Sequence, residues 1–192
     1  YTDSWGAGSS DFLFFKTSED GTFEWGYAMG FSDLDGGYSI LTTNTGGYFI
    51  SGYYRDASYD SYAFIYHTDE NGSVLNSGIY GSTGESSQRS RSAIQASDNN
   101  FVIFGGVSSP SSLSEIFVIK IAQWTGTTLW ARVIGTSNFD YGMSIVQRDD
   151  DGFVGTGNMG TPYNPYNMYL LYMDQDGNEE LSLAIGGSDN DL

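Results

Sequence analysis

The sequence has no cysteine, one histidine, three prolines and seven basic residues, of which only Lys16 and Lys120 are lysines. Without cysteine, neither a disulfide framework nor a thiolate metal centre can form. With His67 the sole imidazole and no phosphate-binding loop, nucleophile–base arrangements have almost nothing to be built from. His67 also falls in a strand where Lys16 holds the matching position, so it reads as a structural variant. One catalytic option stays open: a carboxylate pair for glycoside hydrolysis is assembled in space and leaves no linear signature. No apolar run approaches the ~20 residues of a membrane-spanning helix. The chain starts at Tyr1 with no charged-then-apolar leader, so any targeting segment is expected to lie outside it.

Positive charge is scarce against 24 acidic residues, giving a net charge of −17. Such a surface repels nucleic acid and anionic membranes, both of which select basic clusters. It suits divalent cations or a salty medium. One acceptor pattern for N-glycans is present, Asn71-Gly72-Ser73.

What the chain has in abundance is glycine (26), tyrosine (15) and phenylalanine (12), the composition of many short strands joined by tight turns. These residues recur at fixed spacing. Turn glycines stand at Gly21, Gly72, Gly126 and Gly177, and nine residues after each comes Gly30, Gly81, Gly135 or Gly186. Twenty residues before the last three turn glycines lie Gly52, Gly106 and Gly157, and twelve before those Ile40, Ile94 and Ile145. The turn-to-turn steps are 51, 54 and 51 residues, which places a three-residue insertion between Gly81 and Ile94.

Each unit reads as four strands. Strand a covers Tyr38 to Thr43, Ser92 to Ala96 and Met143 to Gln147; strand b covers Tyr48 to Tyr53, Phe101 to Val107 and Phe153 to Asn158. Strand c covers Phe12 to Thr17, Ala63 to Thr68, Ile116 to Ile121 and Met168 to Met173. Strand d covers Phe23 to Met29, Val74 to Tyr80, Thr128 to Ile134 and Glu180 to Ile185. Strand c is apolar on both faces, as in Phe12-Leu13-Phe14-Phe15, so each sheet is expected to be covered on both sides. An all-β stack of four-stranded antiparallel units of about 50 residues predicts a β-propeller; a sandwich or a β-solenoid of hairpins is the alternative.

The pattern of apolar strand, Asp-x-x-Gly turn, Trp or Leu, closing Gly, then Ser-Ile and a Gly-Gly-Tyr hairpin resembles the secreted bacterial-type β-propeller repeats. The segment Gln123-Trp124-Thr125-Gly126-Thr127-Thr128-Leu129-Trp130 also looks like quinoprotein propeller repeats. Trp25 and Trp130 keep the tryptophan position, and Asn76 and Leu181 replace it. The resemblance implies an exported or cell-surface protein that contacts protein or glycan.

The expected blades are 1–30 (strands c and d only), 31–81, 82–135 and 136–186, with 187–192 starting the next connection. Three full blades and a half-blade predict a ring completed by more chain or by another subunit. The d–a and b–c connections share one face of such a unit. That face collects the candidate binding residues Asp33, Asp35, Arg89, Arg91, Asn138, Asp140, Asp189 and Asp191, with Tyr54, Tyr59, Tyr163 and Tyr166. Two readings stand for the carboxylates. They either bond backbone N–H groups where strand a begins, or form a ring (Asp33, Asp35, Asp140, Asp189, Asp191) that holds calcium or is otherwise neutralised by Arg89 and Arg91 as salt-bridge partners. The Asp149–Gly152 and Asp174–Gly177 turns lack the spacing of a calcium-binding helix–loop–helix and read as hairpin turns. The functional expectation is a non-enzymatic adhesive or structural module, with a glycan-active enzyme using carboxylates as the alternative.

Overall fold

A computed structural model describes residues 10–31, 33–81, 87–109, 112–136, 138–160 and 167–187. Every element is a β-strand. Sheet 1 is the hairpin β1 (Phe12–Thr17) and β2 (Phe23–Met29). Sheet 2 runs through β3 (Asp35–Thr42), β4 (Tyr48–Arg55), β5 (Ser61–Thr68) and β6 (Val74–Tyr80). Sheet 3 runs through β7 (Ser87–Gln95), β8 (Phe101–Ser109), β9 (Ser112–Ile121) and β10 (Thr128–Ile134). Sheet 4 runs through β11 (Asp140–Gln147), β12 (Phe153–Met159), β13 (Asn167–Met173) and β14 (Glu179–Ile185). Strands within each sheet pair antiparallel in chain order. One parallel bridge, Ser61 to Ser87, links sheets 2 and 3, and an equivalent bridge joins Ser10 to Leu34.

The sheets pack face to face in sequence order. Phe12 and Phe14 of sheet 1 meet Ile50 and Phe64 of sheet 2, with the Phe12 and Phe64 rings stacked at 5.0 Å. The opposite face of sheet 2 brings Phe49 and Ile65 against Phe101, Ile103 and Ile121 of sheet 3. The far face of sheet 3 then sets Val102, Phe104 and Val118 against Ile145, Phe153 and Leu171 of sheet 4. Cover on both faces, as strand c predicts, holds for sheets 2 and 3. At the ends it does not: Leu13 and Phe15 of sheet 1 and Val146, Met168 and Leu183 of sheet 4 remain exposed.

Two irregularities repeat and fix the true register. Strand a carries a bulge at Tyr38, Arg91 and Met143, and strand d carries one at Glu24, Leu75, Leu129 and Glu180. The a–b turns open at Thr43, Ala96 and Arg148, and the c–d turns open at Ser18, Asp69, Ala122 and Asp174. In three c–d turns the glycine N–H donates to the carbonyl three residues back; Gly126 reaches four back, to Ala122. One of the three inserted residues therefore sits in the Trp124 turn, and two fall between β6 and β7. This corrects the sequence count, which put all three before Ile94. Ala93, not Ile94, is the counterpart of Ile40 and Ile145, and Gly105 replaces Gly106 beside Gly52 and Gly157. A Cβ at Gly52, Gly105 or Gly157 would lie 1.9, 2.0 or 1.9 Å from the carbonyl oxygen of Gly36, Arg89 or Tyr141, so only glycine lets strand b approach the bulged strand a. Strand a also starts earlier than its sequence signal, because Gly36-Gly37 and the polar run at Ser87 still pair across the bulge.

The tryptophan position of strand d covers the turn glycine of the next sheet. A Cβ on Gly72 would meet the Trp25 ring at 2.9 Å and one on Gly177 the Trp130 ring at 2.6 Å, while Asn76 faces Gly126. Gly21 and Gly177 share a left-handed backbone, at φ 85° and 75°, but nothing lies within 4 Å of a Cβ at Gly21. Gly21→Ala should lose only the left-handed penalty of about 1–2 kcal/mol, whereas Gly177→Ala should lose that plus roughly 1–3 kcal/mol from overpacking Trp130. Urea denaturation of both variants checks this, and equal losses would remove the inter-sheet role of Trp130.

Candidate functional site

The d–a and b–c connections meet at one end of the sheets, where the parallel bridges tie the start of strand c to the start of the following strand a. Two carboxylates lie there in equivalent positions. Asp35 and Asp140 are 1% and 0% exposed. The Asp35 Oδ2 accepts the N–H of Phe31, and the Asp140 Oδ2 accepts both the N–H and the hydroxyl of Thr136, the latter at 2.9 Å. Gln88 fills the same position in sheet 3 and packs against Gly81 as Asp35 packs against Gly30. These side chains are clips that hold the chain as it enters strand a. Sequence counting placed only the inserted segment here in sheet 3; the earlier start of β7 reveals Gln88.

The clips are electrostatically strained. Burial pushes the Asp35 carboxyl up to about 6, the Phe31 N–H pulls against this, and the charges of Asp11 and Asp33 add to the rise. Burial raises Asp140 too, opposed by its Thr136 hydrogen bonds. Asp11 is likewise 1% exposed, and its Oδ1 and that of Asp35 have no hydrogen-bond partner among the described residues.

The remaining candidates scatter. Asp33 pairs with Arg55 at 3.7 Å. Tyr54 stacks on Tyr62 at 5.2 Å and leans on Phe31. Tyr59, at positive φ and 72% exposed, lies beside the Arg55 guanidinium at 5.3 Å. Asn138 donates its backbone N–H to the Thr136 hydroxyl. Asn71 is exposed at a c–d turn. Asp189, Asp191, Tyr163 and Tyr166 fall outside the described residues.

Arg89 and Arg91 do not neutralise the described carboxylates of the expected ring. Arg89 lies over the Tyr53 ring at 4.4 Å and Arg91 near the Tyr38 ring at 5.6 Å, and neither forms an ion pair with a described carboxylate. Among the described residues no three potential ligands gather to hold a metal ion. The acidic turns are accounted for by their own backbones. Asp69 accepts the N–H groups of Asn71 and Ser73 at 2.9 and 2.8 Å, and Asp174 does the same for Asp176 and Asn178.

No protein-family model matches the sequence, and no curated protein is similar to it.

A carboxyl raised by burial favours the neutral form in the folded state. Asp35 thus contributes stability fully below the ordinary carboxylate range and loses it as pH rises through about 6. Gln88 shows that a neutral amide fits this position. Relative to the wild type, Asp35→Asn should gain on the order of 2 kcal/mol at pH 7 over its standing at pH 4. Denaturant titration at the two pH values measures the difference, and parallel pH dependence in the two proteins would refute it.

Proposed function

We propose that this chain is a non-catalytic interaction module made of β-propeller blades, and that the open flank of sheet 1, two-stranded among the described residues, accepts an a–b hairpin from further chain or from another subunit. Exposed or cell-surface deployment follows from the resemblance of its repeats to secreted ones. The buried carboxylates support a non-catalytic reading, since Asp35 and Asp140 act as backbone acceptors out of reach of a substrate.

One comparison within the molecule carries the proposal. Ile40, Ala93 and Ile145 occupy the same position of strand a. Ala93 is 8% and Ile145 2% exposed beneath the preceding sheet, but Ile40 is 55% exposed. Sheet 1 contributes only strands c and d among its described residues. Beside β1 and β3 runs a groove of about 270 Å³ lined by Phe12, Phe14, Tyr38, Ile40 and Tyr53. In the two complete interfaces that space belongs to the preceding a–b hairpin. There the N–H of Ala93 donates to the Ser39 hydroxyl at 3.1 Å, and that of Ile145 to the Ser92 hydroxyl at 3.4 Å. A hairpin that pairs with β1 and offers a serine to Ile40 would complete the same contact, by strand addition.

A synthetic peptide of residues 35–55 carries that pattern. At a concentration tenfold above its dissociation constant it should raise the melting temperature by a few degrees, and Ile40→Asp should abolish the shift. A melting temperature that does not respond to the peptide at any soluble concentration would sink the proposal.

A further inference from the structure

The structure assigns a second binding site, whose arginines rest on the Tyr38 and Tyr53 rings that also line the hairpin groove, for a small hydroxylated carboxylate of sugar-acid size. It lies between the inner strands of sheets 3 and 4. There a pocket of about 330 Å³ is lined by Ser87, Arg89, Arg91, Ser108, Ser114 and Tyr141, over a floor of Gly106 and Val107. Two of the seven basic residues of a chain with net charge −17 converge on it, and no carboxylate is among its described lining residues. Elsewhere Arg55 and Arg148 are matched by acids, at 3.7 Å to Asp33 and 2.8 Å to Asp150, while Arg132 donates to the Asn178 amide oxygen at 3.2 Å.

Both guanidinium groups are oriented by other contacts. The Arg89 Nε donates to the Ser87 hydroxyl at 3.2 Å while its plane rests on Tyr53. Arg91 is steered by Tyr38, whose ring stacks on Tyr53 at 5.5 Å. Arginines fixed on aromatic faces keep their outer N–H edges for a planar, two-oxygen acceptor. Serine and tyrosine hydroxyls complete the lining, which matches the hydroxyl groups of a sugar ring. The Ser114 hydroxyl donates to the Tyr141 oxygen at 2.8 Å and so ties the two sheets together across the pocket. Overall charge settles which anion: repulsion from a net −17 protein grows with ligand charge, so a monoanionic carboxylate enters more readily than a dianionic phosphate.

D-Glucuronate, D-glucose and D-glucose 6-phosphate, titrated into the isotopically labelled protein and followed by amide NMR, test the site. Glucuronate should bind saturably, with shifts centred on β7, β8 and Tyr141, while glucose and glucose 6-phosphate bind at least about tenfold more weakly. Arg89→Gln and Arg91→Gln should each weaken glucuronate about tenfold, with spectra otherwise retaining the wild-type fold. Arg91→Lys keeps the charge but not the two-pronged donor, and it should also weaken binding if Arg89→Gln fails to fold. Equal binding of glucose, tighter binding of the phosphate, shifts centred elsewhere, or affinity unchanged in the arginine variants would each overturn the assignment.

Discussion

The structure depends on the need of each inner edge strand for the sheet in front of it. Strand a pairs with only one neighbour along most of its length, so its outward N–H groups and its apolar side chains need partners from another sheet. Serine hydroxyls supply the acceptor at Ala93 and Ile145. Glutamines repeat the device at the turns, where Gln95 and Gln147 accept the N–H groups of Asn44 and Ser97, each at 2.8 Å. A single sheet therefore cannot satisfy itself, and the stack is the stable unit. Sheet 1 has two strands among the described residues, and there Ile40 and Tyr38 of the following strand a stand exposed.

The same view explains what many of the acidic side chains do. Two carboxylates of the expected calcium ring, Asp35 and Asp140, accept backbone N–H groups at the start of strand a, as do Asp69 and Asp174 in c–d turns and Asp56 in a b–c loop with Ser58 and Asp60. Asp-rich turns and cation loops draw on the same side chain for different ends, and the partner found in space decides between them.

Much of the fold was legible because periodicity survives in the sequence. Strand d, bounded by the turn glycine and the closing glycine, matched at both ends in three of its four copies. The errors have local causes. An extra residue in the Trp124 turn imitates a longer insertion before β7, which moved Ile94 and Gly106 one place out of register. The beginning of strand a was hidden because Gly36-Gly37 and Ser87-Gln88 are poor strand formers held by cross-sheet clips. The arginine pocket was half visible: Arg89 and Arg91 stood out by rarity, but their partners Tyr38, Tyr53 and Tyr141 lie on three different strands and converge only in space.

Native-state hydrogen exchange, read residue by residue, tests the central claim most directly. If the inner strand depends on the sheet in front of it, the amide of Ile40 should exchange orders of magnitude faster than those of Ala93 and Ile145, its counterparts. Equal protection at the three positions would contradict the account.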